Sequence, residues 1–129
     1  MQWYDTNRGR QRLKDEMELL AMDFAQMKFG LLDDDTAFVA GYIGPSDLLR
    51  RSYYIVAVYP YGYPNGNRIK VYAPYENFSS ETPHLYKEDQ ELCIEHHDFN
   101  YDDTICTVIG WAIQWFVLYE NFLQTGEKW

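Results

Sequence analysis

Residues 82–98 read TPHLYKEDQELCIEHHD and contain Cys93 together with all three histidines of the sequence. Cys93 lies between two apolar neighbours, Leu92 and Ile94, at the end of a polar loop, with three histidines within nine residues of it. A thiol reacts as the thiolate, and its ordinary pKa of about 8.5 leaves little thiolate at neutral pH unless nearby cations or donors help. Because imidazoles can give such help, the segment predicts a reactive cysteine.

The composition predicts one compact domain over residues 1–129, since a chain of this length can bury roughly two-thirds of its unfolded surface. Acidic residues outnumber basic residues by 20 to 11, and the net charge of -9 argues against a nucleic-acid partner because a phosphate backbone would be repelled. The sequence has two cysteines and lacks the closely spaced cysteine pattern of disulfide-bonded secreted domains, which favours a reducing, cytoplasmic setting. No segment has the pattern of a leader or a membrane span, so no membrane partner is expected.

The N-terminal part of the chain has the apolar spacing of a helix. Over residues 8–28 the spacing is four, three, four and three, which predicts one apolar helical stripe formed by Leu13, Met17, Leu20, Phe24 and Met27. Gly30 follows the last of these residues and is predicted to be a left-handed C-terminal cap. The acidic run at 33–35 is predicted to form a solvated turn.

Three segments rich in β-branched and aromatic residues come next, at 36–43, 53–59 and 68–73. Residues 53–59 are apolar throughout, which predicts a central strand covered on both faces. In the third segment Ile69 and Val71 alternate with polar positions, which is typical of a strand with one solvated face. The order indicates an α+β fold in which a helix precedes an antiparallel meander.

The last third of the sequence combines a long loop with a second helix. Residues 74–100 have no periodicity, and long ordered loops are usually functional. A helix is predicted from Ile105 to about Leu123, after the candidate N-caps Asp102, Asp103 and Thr104. This helix carries two apolar stripes, more than one sheet can cover. The second stripe and the tail can be packed by the long loop or can bind a partner protein. The leading candidates for a docking surface are Trp111, Trp115 and Trp129.

Taken together, these features resemble the ubiquitin-conjugating enzyme family from Arg8 to the end of the chain. The matching motifs are Ile43-Gly44-Pro45, Tyr59-Pro60-Tyr61-Gly62-Tyr63-Pro64, Pro83-His84-Leu85 and Leu92-Cys93-Ile94. The resemblance implies an N-terminal helix on a four-stranded antiparallel meander, a catalytic-loop segment and a long C-terminal helix. It also implies that Cys93 is the nucleophile.

A narrower resemblance is to the short bacterial members of that family, which associate with the anti-phage operons known as CBASS. It rests on Pro83-His84-Leu85-Tyr86, the Leu-Cys pair, the Trp-rich final helix and the ending Tyr119-Glu120-Asn121-Phe122-Leu123-Gln124-Thr125-Gly126-Glu127-Lys128-Trp129. The implied partner is a cGAS-like nucleotidyltransferase, whose C-terminus would be carried as a thioester on Cys93 and transferred to an amine. No cofactor is implied.

One departure from the family motif concerns the chemistry of transfer. Leu85 stands where the family carries an asparagine that supports the oxyanion, and a leucine side chain has no hydrogen-bond donor. We expect His84, the neighbouring residue, to give some of the missing oxyanion or proton-transfer help. His96 and His97 are further candidates for support, although adjacent side chains point in different directions.

Other interpretations of the same residues remain open. Cys93 can be a small buried hydrophobe, in which case the domain is a binding module without catalysis. Cys106, inside the final helix, is expected to be structural. A zinc site built from His84, Cys93, His96 and His97 has suitable ligand types, but its spacing fits no compact zinc signature, so no metal is expected. No serine-type nucleophile motif and no glycine-rich phosphate loop is present.

Overall fold

The computed structural model describes residues 1–65, 68–94 and 99–129. In these residues a short 3-10 helix precedes helix α1, four strands and helix α2, in the order Trp3–Asp5, α1 Asn7–Asp23, β1 Lys28–Leu31, β2 Ala37–Ile43, β3 Tyr53–Val58, β4 Lys70–Tyr72 and α2 Ile105–Thr125. The described strands form one antiparallel sheet in the order β1-β2-β3-β4. This confirms the predicted α+β, ubiquitin-conjugating-like architecture.

The prediction for the central strand was right about its position and wrong about one face. β3 lies between β2 and β4, and its inward side chains Tyr53, Ile55 and Ala57 are buried in the core. The outward side chains are only half-buried. Tyr54 on that face contacts the rings of Tyr42 and Tyr75, at 5.1 and 5.2 Å between centroids.

The first helix is shorter than its apolar spacing predicted. α1 ends at Asp23 with Phe24 as its C-terminal cap, and Gly30 lies in β1 opposite Phe38 instead of capping the helix. A Cβ on Gly30 would lie 2.6 Å from the Phe38 ring, so glycine here allows the ring to pack over the neighbouring strand. The backbone hydrogen bonds gained by pairing with β2 outweigh the helical spacing. The predicted turn at 33–35 joins β1 to β2.

The C-terminal helix begins where it was predicted, at Ile105, and runs slightly beyond the predicted end near Leu123, to Thr125. Its N-cap is Thr104, and its C-cap is Gly126, whose φ of 75° is the left-handed conformation that glycine adopts without strain. Its inner face lies on the sheet, where the Phe116 ring stacks on Tyr53 with centroids 4.1 Å apart. Trp115 on the same helix donates its indole N–H to the His84 carbonyl at 2.9 Å, so α2 also contacts the loop before the cysteine.

A buried carboxylate connects α1 to the other end of α2. The Glu16 side chain is 1% exposed and accepts hydrogen bonds from the Tyr59 hydroxyl, at 3.0 Å, and from the Ile105 N–H, at 3.0 Å. Arg12 donates to it at 2.8 Å, and the Tyr63 hydroxyl also donates to it. Because the first N–H groups of a helix have no partner within the helix, Glu16 acts as a cap from a different element.

Candidate active site

The loop before the cysteine folds back on itself as a small hairpin. Leu85 and Leu92 form an isolated antiparallel bridge, and the Tyr86 N–H donates to the Glu91 carbonyl at 2.9 Å. Leu92 is buried, and its N–H donates to the Val71 carbonyl at 2.9 Å. The hairpin is thereby attached to β4, and the cysteine follows directly after the attachment point.

Cys93 lies half-buried at the surface on a fixed backbone. Its neighbours Leu92 and Ile94 are buried at 1% and 4% exposure, so they anchor the chain on both sides of the thiol. The Cys93 N–H donates to the His84 carbonyl at 2.9 Å, and the thiol donates to the Tyr86 hydroxyl with a sulfur-to-oxygen distance of 3.7 Å. The thiol is therefore partly accessible at the surface while both of its neighbours in the sequence are buried.

His84 reaches the cysteine through its main chain. Its φ of 52° is left-handed, and its carbonyl accepts both the Cys93 N–H and the indole N–H of Trp115, each at 2.9 Å. Its ring stacks on Trp129, and Nε2 donates to the main-chain oxygen of that residue at 2.6 Å. The ring nitrogen that we expected to serve an oxyanion is thus directed at the tail, while the carbonyl fixes the cysteine backbone.

Tyr86, which contacts the thiol, and the ion pair of Arg68 with Glu91 beside the Tyr86 ring were given no role from the sequence. The Tyr86 ring lies 5.5 Å from the Arg68 guanidinium, and Arg68 makes two hydrogen bonds, of 3.0 and 3.1 Å, to the Glu91 carboxylate. Glu91 is only 4% exposed. An ion pair between the segment before β4 and a loop more than twenty residues later leaves no periodic signal in a sequence, so pattern reasoning had nothing to detect.

The carboxylates of the loop create a negative electrostatic field at the Tyr72 hydroxyl, next to β4. Burial raises the pKa of Tyr72 to about 12, and the carboxylates of Asp89 and Glu91 add to the increase because they repel a phenolate. The Tyr72 hydroxyl donates to Asp89 at 3.3 Å. Arg68 is the cation that offsets this field next to Tyr86.

The second cysteine has the surroundings of a structural residue. Cys106 is half-buried in α2, and burial raises the pKa of its thiol to about 11, with further increases from the carboxylates of Asp23 and Glu16. At neutral pH it is a thiol and a poor nucleophile. Both cysteines are free, so Cys106 also offers an internal reference for the reactivity of Cys93.

The three tryptophans expected on a docking surface have different positions. Trp115 is 1% exposed and belongs to the core, so the expectation that it faces a partner is corrected. The loop and the tail cover it, since its indole contacts the rings of Phe78 and Trp129 and donates to the His84 carbonyl. Trp111 and Trp129 are half-buried against the core and keep part of their surface exposed.

Two of the predicted site residues, His96 and His97, lie outside the described residues. The zinc alternative requires both of them. Within residues 1–65, 68–94 and 99–129, no group of three or more His, Cys, Asp or Glu side chains could hold a metal ion. None of the helices in those ranges is long and apolar enough to cross a bilayer.

Comparison with known proteins assigns the chain to a family. Curated proteins gave no match to the sequence. A protein-family model described as Type II CBASS E2 protein matches residues 16–129, a range that includes the sheet, the cysteine hairpin and α2. Since this range covers most of the chain, the protein belongs to the Type II CBASS E2 family.

Proposed function

We propose that Cys93 carries the C-terminus of a protein partner as a thioester and transfers it to an amine during CBASS defence. The observation that carries this proposal is the half-buried Cys93 in a member of an E2 family. Its main-chain N–H is bound by the His84 carbonyl, and its thiol contacts the Tyr86 hydroxyl. The partner we propose is a cGAS-like nucleotidyltransferase, and the reaction takes place in the cytoplasm, where thiols stay reduced.

A cysteine suits this role because the acyl carrier must both attack and leave. The Cys93 sulfur attacks the carbonyl carbon of an activated C-terminus, and the former activating group departs with its electron pair. The same sulfur is later displaced by an amine as a thiolate. A hydroxyl would form an ester that releases its acyl group far less readily, so serine is a poor substitute.

The second candidate function is a binding module without catalysis. It is favoured by the partly exposed rings of Trp111 and Trp129, since tryptophan is enriched among residues that dominate binding energies. In this account Cys93 is incidental, and the net charge of -9 speeds encounter with a basic partner.

A peptide thioester that carries the C-terminal residues of a CBASS nucleotidyltransferase distinguishes the two functions, because thiol exchange needs no activating enzyme. The transferase account predicts a reducible adduct with the unaltered protein and with Cys106→Ala, and none with Cys93→Ala. Comparison of Cys93→Ala with Cys106→Ala distinguishes an adduct specific to Cys93 from general reactivity of the thiols. A stable complex with the whole nucleotidyltransferase that is equally tight in Cys93→Ala, without any adduct, would instead establish the binding module.

A further inference from the structure

Tyr86 places a hydroxyl group at the reacting sulfur. Its oxygen lies 3.7 Å from the Cys93 sulfur, within the range of a sulfur hydrogen bond. We propose that Tyr86 is a catalytic residue of acyl transfer, and that its hydroxyl donates a hydrogen bond to the acyl oxygen as negative charge develops there. This inference rests on the proposed function of Cys93.

The need for such a donor follows from the neighbouring side chains. Leu85, one residue earlier, has no donor, and the Nε2 of His84 donates to the main-chain oxygen of Trp129 at 2.6 Å. An oxyanion in a partly buried site requires a preorganised donor, because this kind of electrostatic stabilisation is usually the largest contribution to catalysis. Tyr86 is the described side chain that combines a hydroxyl donor with contact to the Cys93 sulfur.

The surroundings of Tyr86 hold its main chain and its ring, while the residue stays 38% exposed. Its N–H donates to the Glu91 carbonyl at 2.9 Å, and its carbonyl accepts from the Gln90 N–H at 2.8 Å, so both main-chain groups are fixed within the hairpin. Arg68, held by two hydrogen bonds to the buried Glu91, lies over the ring at 5.5 Å. The ring of Tyr86 is therefore packed against a guanidinium that is itself held in place, which keeps the phenol beside the Cys93 sulfur.

The direction of hydrogen bonding changes when the acyl group is attached. In the unacylated protein the Cys93 thiol donates a hydrogen bond to the Tyr86 oxygen. A thioester sulfur carries no proton, so the phenol O–H can turn towards the oxygen of the acyl group on that sulfur. The contact seen with the thiol is therefore compatible with a donor role in the acylated protein.

The transfer step itself is balanced without a further reactant. The amine lone pair forms a bond to the acyl carbon, and the carbonyl π pair moves onto oxygen, where the Tyr86 hydroxyl stabilises it. The C=O bond then re-forms as the carbon–sulfur bond breaks, and that electron pair leaves on Cys93 as thiolate. The amine loses one proton to water and the thiolate takes one up, giving an amide and the starting thiol.

The experiment measures single-turnover transfer from a Cys93 thioester, formed by exchange with a peptide thioester, to the amine of free lysine. Tyr86→Phe keeps the ring over Arg68 and removes only the hydroxyl, and transfer should slow by about 10²-fold, the usual loss for one oxyanion donor. The matched control is Tyr72→Phe, which removes a hydroxyl bound to Asp89 in the same hairpin and should leave the rate within about twofold.

A second measurement separates chemistry from structure. Alkylation of Cys93 by iodoacetamide needs no acyl oxygen, so Tyr86→Phe should change its rate by no more than about threefold. Transfer at the rate of the unaltered protein in Tyr86→Phe would overturn the inference and leave the proposed function standing. Equal losses in transfer and in alkylation would also overturn it, since they would show a general disturbance of the loop. Absence of any thioester on the unaltered protein would overturn the proposed function as well.

Discussion

At the scale of single residues, His84 determines how the cysteine is presented. Its carbonyl binds the Cys93 N–H and the Trp115 indole N–H, and this orientation depends on a left-handed φ of 52°. Residues with a Cβ pay a conformational penalty in this region, and glycine does not. We therefore propose that His84 positions the cysteine, in place of the donor role that the sequence had suggested.

This role predicts that two small substitutions of His84 differ in stability. His84→Ala loses the ring contacts with Trp129 and keeps the left-handed penalty, whereas His84→Gly loses the same contacts and relieves that penalty. The free energy of unfolding of His84→Gly should exceed that of His84→Ala by about 1 kcal/mol. Urea denaturation of the two variants measures the difference, and an alanine variant as stable as the glycine variant would contradict the backbone argument.

At the scale of elements, the tail after α2 acts as a strap over the cysteine loop. The Trp129 ring stacks on His84 with centroids 5.4 Å apart and meets the edges of Trp115, at 5.4 Å, and Phe122, at 6.3 Å. Lys128 pairs with Glu81 at 3.2 Å, although a pair this exposed contributes little. The strap therefore acts mainly through the ring of Trp129.

Removing this ring should loosen the loop more than the rest of the molecule. Trp129→Ala deletes a half-buried ring, so the free energy of unfolding should fall by about 2 kcal/mol. Alkylation of Cys93 should be several times faster than in the unaltered protein. Cys106 should react at an unchanged slow rate, because burial raises the pKa of its thiol to about 11. Peptide mapping after iodoacetamide treatment measures both cysteines in one sample.

The conservative control for this prediction is Trp129→Phe. The Trp129 indole N–H is buried and finds no acceptor within residues 1–65, 68–94 and 99–129, so phenylalanine loses no hydrogen bond there and keeps an aromatic ring against His84. It should preserve the slow alkylation of Cys93. Equal acceleration of Cys93 and Cys106 in Trp129→Ala would show global unfolding and would refute a local strap.

At the scale of the whole molecule, Glu16 joins elements that are distant in sequence. It binds Arg12 on its own helix, two tyrosine hydroxyls after β3 and the first N–H of α2. Burial raises the pKa of Tyr59 and of Tyr63, and the nearby carboxylate of Glu16 adds to both increases because it disfavours a second negative charge. Both tyrosines therefore stay protonated and donate to Glu16.

Substitution of this carboxylate should be strongly destabilising. Glu16→Ala leaves two buried hydroxyls and a helix N-terminus without their acceptor and removes the ion-pair partner of Arg12, which keeps its bonds to the Tyr101 and Asp103 carbonyls. Breaking a buried ion pair from one side typically costs about 3 to 5 kcal/mol. The neighbouring exposed substitution Glu18→Ala serves as the control and should change stability by less than about 0.5 kcal/mol. A thermal melt of Glu16→Ala that matches the control would show that the network contributes nothing.

The overall fold was predictable because its determinants repeat along the chain. The apolar spacing of α2 and the alternation of Ile69 and Val71 each follow the period of their element. β1 was missed because Phe24 and Met27 continue the helical spacing although the helix ends at Asp23. Residues 28–31 form a strand because they pair with β2, and a contact between two segments leaves no local pattern in the sequence.

The site was predictable in part for the same reason. Cys93 could be proposed as the nucleophile because its apolar neighbours and its resemblance to a family motif are local features. Trp115 was assigned to a docking surface because the sequence shows two apolar stripes on α2 without showing what covers them. The contact between Arg68 and Tyr86 depends on how the hairpin folds back towards β4, and no local pattern records it.

The most direct test of the central claim is the intact mass of the protein after incubation with the nucleotidyltransferase peptide thioester. We predict a single acyl adduct that maps to Cys93, disappears on treatment with dithiothreitol and does not form in Cys93→Ala. Peptide mapping should find Cys106 unmodified in the same sample. An unchanged mass, or an adduct that forms equally well in Cys93→Ala, would contradict the account of Cys93 as the acyl carrier.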